Sequence, residues 1–457
     1  MTTVEPSPTV TPAEDNPYLE GNFAPVSEAV TAFDLPVTGQ LPPELSGRLL
    51  RIGPNPVTPA DPATYHWFAG TGMVHGLRLR DGRAEWYRNR FVRGADVVQA
   101  RGGPPVPGPD RGRGFAPNTN VLAVAGRTYA TVESGPLPML LSYELQTQAR
   151  SDFSGTLGDA FTAHPHTDPA TGQTHAVTYF PEREQVQYQV IGTDGLVRRI
   201  VDVPVPGRPM VHDMALTASY AVVLDLPVTL SVDAALAGAA VPYRCDPGYG
   251  ARVGLLPREG GADQIIWCEL PGPSYVYHVV NAYDAPDGTV VMDVVRHETT
   301  FADDVLGPGD AVPALYRWTV DPTVRRVREQ LLDPRGQEFP RHDERLVGRP
   351  HRYAYTVAAE VLRNGFTGLL KHDLQAMTAE LVDYGPGRMT MEAVFVPRSD
   401  DAAEDDGWLM SYVYDATTGR SDVVVLHAQD LRGGPVATVH LPARVPFGFH
   451  GNWLPDA

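Results

Sequence analysis

From Asn16 to Trp453 apolar residues recur in short runs, many alternating with polar ones, and turn residues separate the runs. A period of two belongs to strands with one buried face. His75–Arg80 and Arg83–Val92 flank Asp81-Gly82, and an Asp-Gly pair between alternating runs predicts a two-residue hairpin. The arrangement repeats around Asp194-Gly195, Asp287-Gly288, Asp321-Pro322 and the stretch Ala416-Thr417-Thr418-Gly419. Segments of helical period are scarce. The Ala-rich stretch Ser231–Pro242 predicts one short helix, and the Arg/Gly/Pro-rich stretch Arg101–Gly114 predicts an exposed loop. Successive meanders over more than 400 residues predict a large all-β fold that must hide its sheet edges. Radial repetition in a propeller is one way to do so, and stacked sandwiches are another. No clean internal repeat decides between them.

Composition narrows the function classes. The chain has 457 residues, with 37 basic against 55 acidic, a net charge of -18. That balance argues against nucleic-acid binding, which needs a basic surface. It also disfavours electrostatic docking on anionic lipid, while apolar docking stays open. Residues 1–15 are Pro/Thr-rich and predict a disordered tail, leaving 16–457 as a single domain. Cys245 and Cys268 are too few for a disulfide framework and fit a reducing compartment. No basic and apolar leader and no run of about 18 apolar residues is visible, so the expectation is a cytoplasmic protein.

Four of the 14 histidines stand out by context. His164 lies in Thr162-Ala163-His164-Pro165, and His212 in Met210-Val211-His212-Asp213. His278 lies in Tyr277-His278-Val279-Val280, and His450 in Phe447-Gly448-Phe449-His450-Gly451. An unpaired imidazole is costly to bury in such apolar surroundings, and a metal is one way to compensate it. Their spacings match no local zinc motif, so the pattern alone leaves iron, zinc, copper and nickel open. An all-imidazole set would leave the charge of a dication to carboxylates bonded to the outer ring nitrogens. His166, two residues from His164, would share its face on a strand and is the main competitor.

Several motifs in order resemble the carotenoid cleavage oxygenase family. They include Arg51-Ile52-Gly53-Pro54-Asn55-Pro56, Phe68–His75, Ala163-His164-Pro165, Val211-His212-Asp213, His278–Tyr283, Glu338-Phe339-Pro340-Arg341, Phe395-Val396-Pro397, Asp405–Trp408 and Phe449-His450-Gly451. The likeness spans nearly the whole chain, and the motifs look most like those of actinobacterial carotenoid-cleaving members. It implies a seven-bladed β-propeller with a helical and loop cap over an axial iron. It implies Fe(2+) held by His164, His212, His278 and His450. Glutamates of the family map to Glu133, Glu338 and Glu392, orienting His212, His278 and His450 respectively and leaving His164 without a carboxylate. The family has Gly-Glu-Pro around the last of these, whereas this chain has Met391-Glu392-Ala393. A threonine beside the oxygen site maps to Thr119. His75, also within the pattern, is expected to be structural.

The activity so implied is cleavage of a C=C bond by O2, giving two carbonyl products from a hydrophobic polyene. Val132, Met210 and Tyr277 are the expected substrate-lining residues. Stilbene-cleaving relatives tend to carry a lysine where this chain has Val132, and valine suits a hydrocarbon. A stilbene-cleaving dioxygenase is the nearest alternative, and a non-catalytic ligand-binding propeller is one of another class. A polyene partitions into bilayers, so peripheral membrane contact through an apolar rim is expected, with Ser231–Pro242 a candidate element. The scissile bond and the oligomeric state are not encoded in any readable pattern.

Overall fold

The computed structural model describes residues 16–58, 65–111, 117–302, 311–359 and 365–456. The expected tail, residues 1–15, lies outside them. The fold is all-β, a propeller arrangement of antiparallel meanders. Four-stranded sheets are built from 120–150, 166–204 and 337–383. An eight-stranded sheet covers 215–333, and its two meanders are joined by one parallel bridge, Glu269 to Arg326.

The ends of the chain are stitched together. Strand Gly47–Pro54 pairs with Gly72–Arg80 on one side and with the C-terminal strand Gly451–Pro455 on the other. Strand Val37–Gly39 likewise joins Pro435–His440, the outer strand of the last meander.

The hairpin turns follow the local chemistry. Asp81 and Gly82 both take positive φ, 48° and 69°, as a two-residue turn matching strand twist requires, and Arg80 pairs with Arg83 across it. The strand before Asp287-Gly288 is longer than its alternation indicates. It runs Tyr275–Asp284, and Tyr275 to Ala282 are all buried, so neither face carries the polar positions that would mark its start. Gly53 and Gly448 let two motif segments touch: a Cβ on Gly53 would lie 2.5 Å from the Gly448 Cα. The contact is fixed by Phe449 N–H donating to the Ile52 carbonyl at 2.9 Å and Ile52 N–H to the His450 carbonyl at 3.0 Å.

Helix is sparse. The predicted helix forms only over Val232–Leu236, with Ser231 accepting from the Ala234 amide as its cap. A second, Ala95–Arg101, precedes the predicted loop and is too short to leave a periodic signal. The cover expected over the site is therefore largely loop. It is made of the turn Trp67–Ala69 and the hairpin Val228–Leu230 with Tyr243–Cys245, which carries the short helix at its tip.

Candidate metal centre

Each of the four histidines sits on or beside a strand at the edge of its sheet. His164 precedes His166–Thr167, His212 precedes Ala215–Leu216, His278 lies within Tyr275–Asp284, and His450 precedes Gly451–Pro455. The chain is irregular at these points. The register slips between Val276 and Val279 and again between Val279 and Asn281, which re-aims the His278 side chain.

The structure brings the four rings together, with one nitrogen of each within 4.8 Å of the others. The Nε2 atoms of His164 and His212 are 3.0 Å apart, those of His212 and His278 3.3 Å, and those of His278 and His450 3.1 Å. Behind the rings stand the three glutamates. The Nδ1–H of His212 donates to Glu133 at 2.9 Å, that of His278 to Glu338 at 2.5 Å, and that of His450 to Glu392 at 2.8 Å. His164 has no carboxylate partner of this kind among the described residues. Despite the altered residues beside it, Glu392 is aimed at His450, and its second oxygen accepts the Gly451 amide at 2.8 Å.

These bonds decide the tautomers. A carboxylate accepts, so Nδ1 carries the hydrogen and Nε2 of the neutral ring is a bare lone pair. Three such lone pairs face one another at hydrogen-bond distance in a buried site, an arrangement that repels itself unless a cation lies between them. Burial disfavours charge on His278, yet the Glu338 carboxylate outweighs it and raises the His278 pKa. Burial and the facing imidazoles hold His164 well below the ordinary histidine range. Burial, only partly offset by Glu392, pushes His450 down to about 4. Burial opposes ionisation of Glu392 as well, but Arg341 and His450 hold its pKa down at about 2.

The spacing also discriminates between geometries. With imidazole nitrogens about 2.1 Å from an ion, neighbours at right angles stand about 3.0 Å apart and tetrahedral neighbours about 3.4 Å. Two of the observed separations, 3.0 and 3.1 Å, lie nearer the right-angle value, and the third, 3.3 Å, lies nearer the tetrahedral one; taken together the three are nearer the right angle. The site thus fits a metal with positions left open better than a closed tetrahedral zinc site.

An apolar cavity of about 340 Å³ opens against this cluster, with Phe68, Val132, Met210, Tyr277, Phe339 and Phe449 in its wall. Thr119 also lines it; its hydroxyl donates to Asn118 at 2.9 Å, and its carbonyl accepts the His450 amide at 3.1 Å. His75 is remote from the cluster's hydrogen bonds and instead meets the Tyr87 hydroxyl at 2.9 Å.

Sequence reasoning missed two groups, Asp213 and His297. His166 does not join the cluster; its Nε2 meets Asp213 at 3.1 Å. Asp213 also accepts the Met214 amide at 2.7 Å and the Val279 amide at 2.8 Å, so one buried carboxylate ties together the segments bearing His164, His212 and His278. His297 donates to the free oxygen of Glu338 at 2.8 Å. The Val211-His212-Asp213 motif held a local signal for Asp213, and His297 had none.

Known proteins resemble the chain over nearly its whole length. The model of the retinal pigment epithelial membrane protein (RPE65) family matches residues 23–455. A carotenoid cleavage oxygenase of Mycobacterium tuberculosis is 46% identical, covering 96% of this chain and 98% of its own. An apocarotenoid-15,15'-oxygenase of Synechocystis is 32% identical, covering 91% and 92%. Among solved structures, a lignostilbene dioxygenase of Pseudomonas brassicacearum superposes with a TM-score of 0.89 at 28% identity, covering 98% of this chain and 100% of that one. Cobalt-substituted Synechocystis ACO superposes with a TM-score of 0.84 at 29% identity, covering 94% and 97%. On its sequence, its fold and its four converging histidines, the chain belongs to the RPE65/carotenoid cleavage oxygenase family.

Proposed function

We propose that the protein is a non-haem iron(II) dioxygenase that splits one C=C bond of a carotenoid or apocarotenoid into two carbonyl products. The observation that carries this reading is the set of carboxylate-backed imidazoles with bare Nε2 atoms converging beside an apolar cavity. His164, His212, His278 and His450 would hold the ion, and ferrous iron bound there would supply the redox chemistry that activates O2. Glu133, Glu338 and Glu392 fix the orientation of three rings and place negative charge behind them. Val132, Met210 and Tyr277 hold the polyene in register and, with the aromatic walls, keep water out. Thr119, in the wall of the cavity, would stand beside the oxygen site. In this reading residues 16–457 form one catalytic domain, and the eight-stranded sheet counts as two blades, giving seven.

The lignostilbene dioxygenase likeness favours a second reading, cleavage of a stilbene. Lys371 is the sole lysine of the sequence, and it is committed to Asp405 at 2.7 Å and to the Ala428 carbonyl. No lysine is therefore available to hold a phenolic oxygen in the cavity, which supports the polyene. A non-catalytic propeller would have no use for three buried lone pairs aimed at one point.

No helix among the described residues is long and apolar enough to cross a membrane. The helix Val232–Leu236 exposes Leu236 by 82% and Val232 by 48%, and the flanking Leu230 and Val241 line the cavity. This element is suited to dip into a bilayer and admit a lipid-dissolved substrate. The deciding experiment is aerobic incubation of the iron-loaded protein with an apocarotenal and, separately, a hydroxystilbene. Two carbonyl fragments from the apocarotenal alone support the proposal; turnover of the stilbene alone overturns it.

A further inference from the structure

His278 and His450 line two cavities. Besides the apolar one there is a second, of about 440 Å³, whose wall includes His164 together with His278 and His450. Its character is different: Asp213, Glu344 and Glu392 face it together with Arg48 and Arg341, and two further imidazoles, His166 and His342, line it. It reaches solvent, since Ala123, Gly126, Thr167 and Pro455 in its wall are exposed. His342 is only 5% exposed, and its Nε2 is buried with no hydrogen-bond partner among the described residues. A buried ring nitrogen left unpaired costs stability, and nothing in the centre described above makes use of it.

The two cavities differ in what they can pass. An aquated dication entering the apolar cavity would have to shed its water against Phe68, Met210 and Phe449, with nothing to replace it. The polar cavity offers carboxylate oxygens and imidazole nitrogens that exchange for water one at a time. We propose that this polar cavity is the port through which aquated ferrous ion reaches the four histidines, with His342 and His166 ligating it in transit. The inference rests on the iron reading of the centre and adds to it a division of labour: metal enters through one cavity, polyene through the other.

A transit ligand lowers the barrier in both directions. Its loss therefore slows association and dissociation by the same factor and leaves the affinity unchanged, whereas a structural role alters affinity. The experiment follows Co(II) and Fe(II) uptake by the metal-free protein in a stopped-flow instrument, and release into excess chelator. His342→Phe keeps a ring of similar size without the nitrogen, and Thr167→Arg places a cation at the exposed mouth. Both are expected to slow uptake and release about tenfold with an unchanged ratio. Leu230→Trp, in the wall of the apolar cavity, is expected to leave both rates as they were. Wild-type rates in His342→Phe and Thr167→Arg, or slowing by Leu230→Trp, would overturn the port. So would an altered affinity in a folded Thr167→Arg, whose exposed position makes it the safeguard should His342→Phe fail to fold. Failure of the wild-type protein to bind either ion would instead strike the iron reading itself.

Discussion

Replacing Glu338 and Glu133 by glutamine, one at a time, should have unequal effects, and the structure sets the order. Glu338 is buried and serves three donors: His278 at 2.5 Å, the Phe339 amide at 2.5 Å and His297 at 2.8 Å. A glutamine has one acceptor oxygen and an amide that only donates. If its oxygen keeps His278 and the Phe339 amide, its NH2 group meets the His297 Nε2–H. His297 can escape only by moving its proton to Nδ1, which is buried without a partner among the described residues. One buried donor is stranded in either case, at about 1–3 kcal/mol, in addition to the loss of the negative charge behind the ring. Glu133 is half-buried, and a glutamine oxygen there can still accept from His212. Metal affinity should therefore fall about 100-fold for Glu338→Gln and nearer tenfold for Glu133→Gln, the two ends of the usual range for such partners. Titration of the metal-free variants with Co(II) against a competing chelator measures both. The unfolding midpoint of metal-free Glu338→Gln should drop, while that of Glu133→Gln should barely move. Equal losses of affinity, or a larger loss for Glu133→Gln, would refute the reasoning.

Two further outcomes are expected. Leu236→Glu removes an exposed leucine whose burial in lipid is worth about 1.5–3 kcal/mol, so partition onto neutral vesicles should fall about tenfold or more while iron content stays the same; unchanged partition would place the membrane contact elsewhere. Burial and the Arg258 charge beside it push His175 down from 6.5 to about 4. Between those values the unfolded chain takes up a proton that the folded one refuses, so stability present above pH 6.5 is lost as pH falls towards 4, by about 3 kcal/mol from this residue. Denaturant midpoints across that window should show the slope in the wild type and a shallower one in His175→Gln; parallel slopes would contradict the assignment.

Much of the strand order was legible because Asp-Gly turns such as Asp81-Gly82 are local: the backbone conformation they impose needs no distant partner. The four clustered histidines were visible because each interrupts an apolar run. The glutamates were not legible from composition or spacing, since a buried carboxylate such as Glu338 differs from a surface one only in what lies behind it. They emerged from the family resemblance alone. Asp213 and His297 act through pairings between segments remote in sequence, and beyond the Val211-His212-Asp213 motif no local pattern announces them. Helix Ala95–Arg101 escaped notice because seven residues are too few to establish a period.

The central claim is that four imidazoles share one iron. X-ray absorption at the iron K-edge of the loaded protein tests it most directly. The expected spectrum shows one iron per chain with four imidazole nitrogens at about 2.1 Å and no sulfur. A spectrum fitted by fewer imidazoles, or by carboxylate ligands in their place, would contradict it.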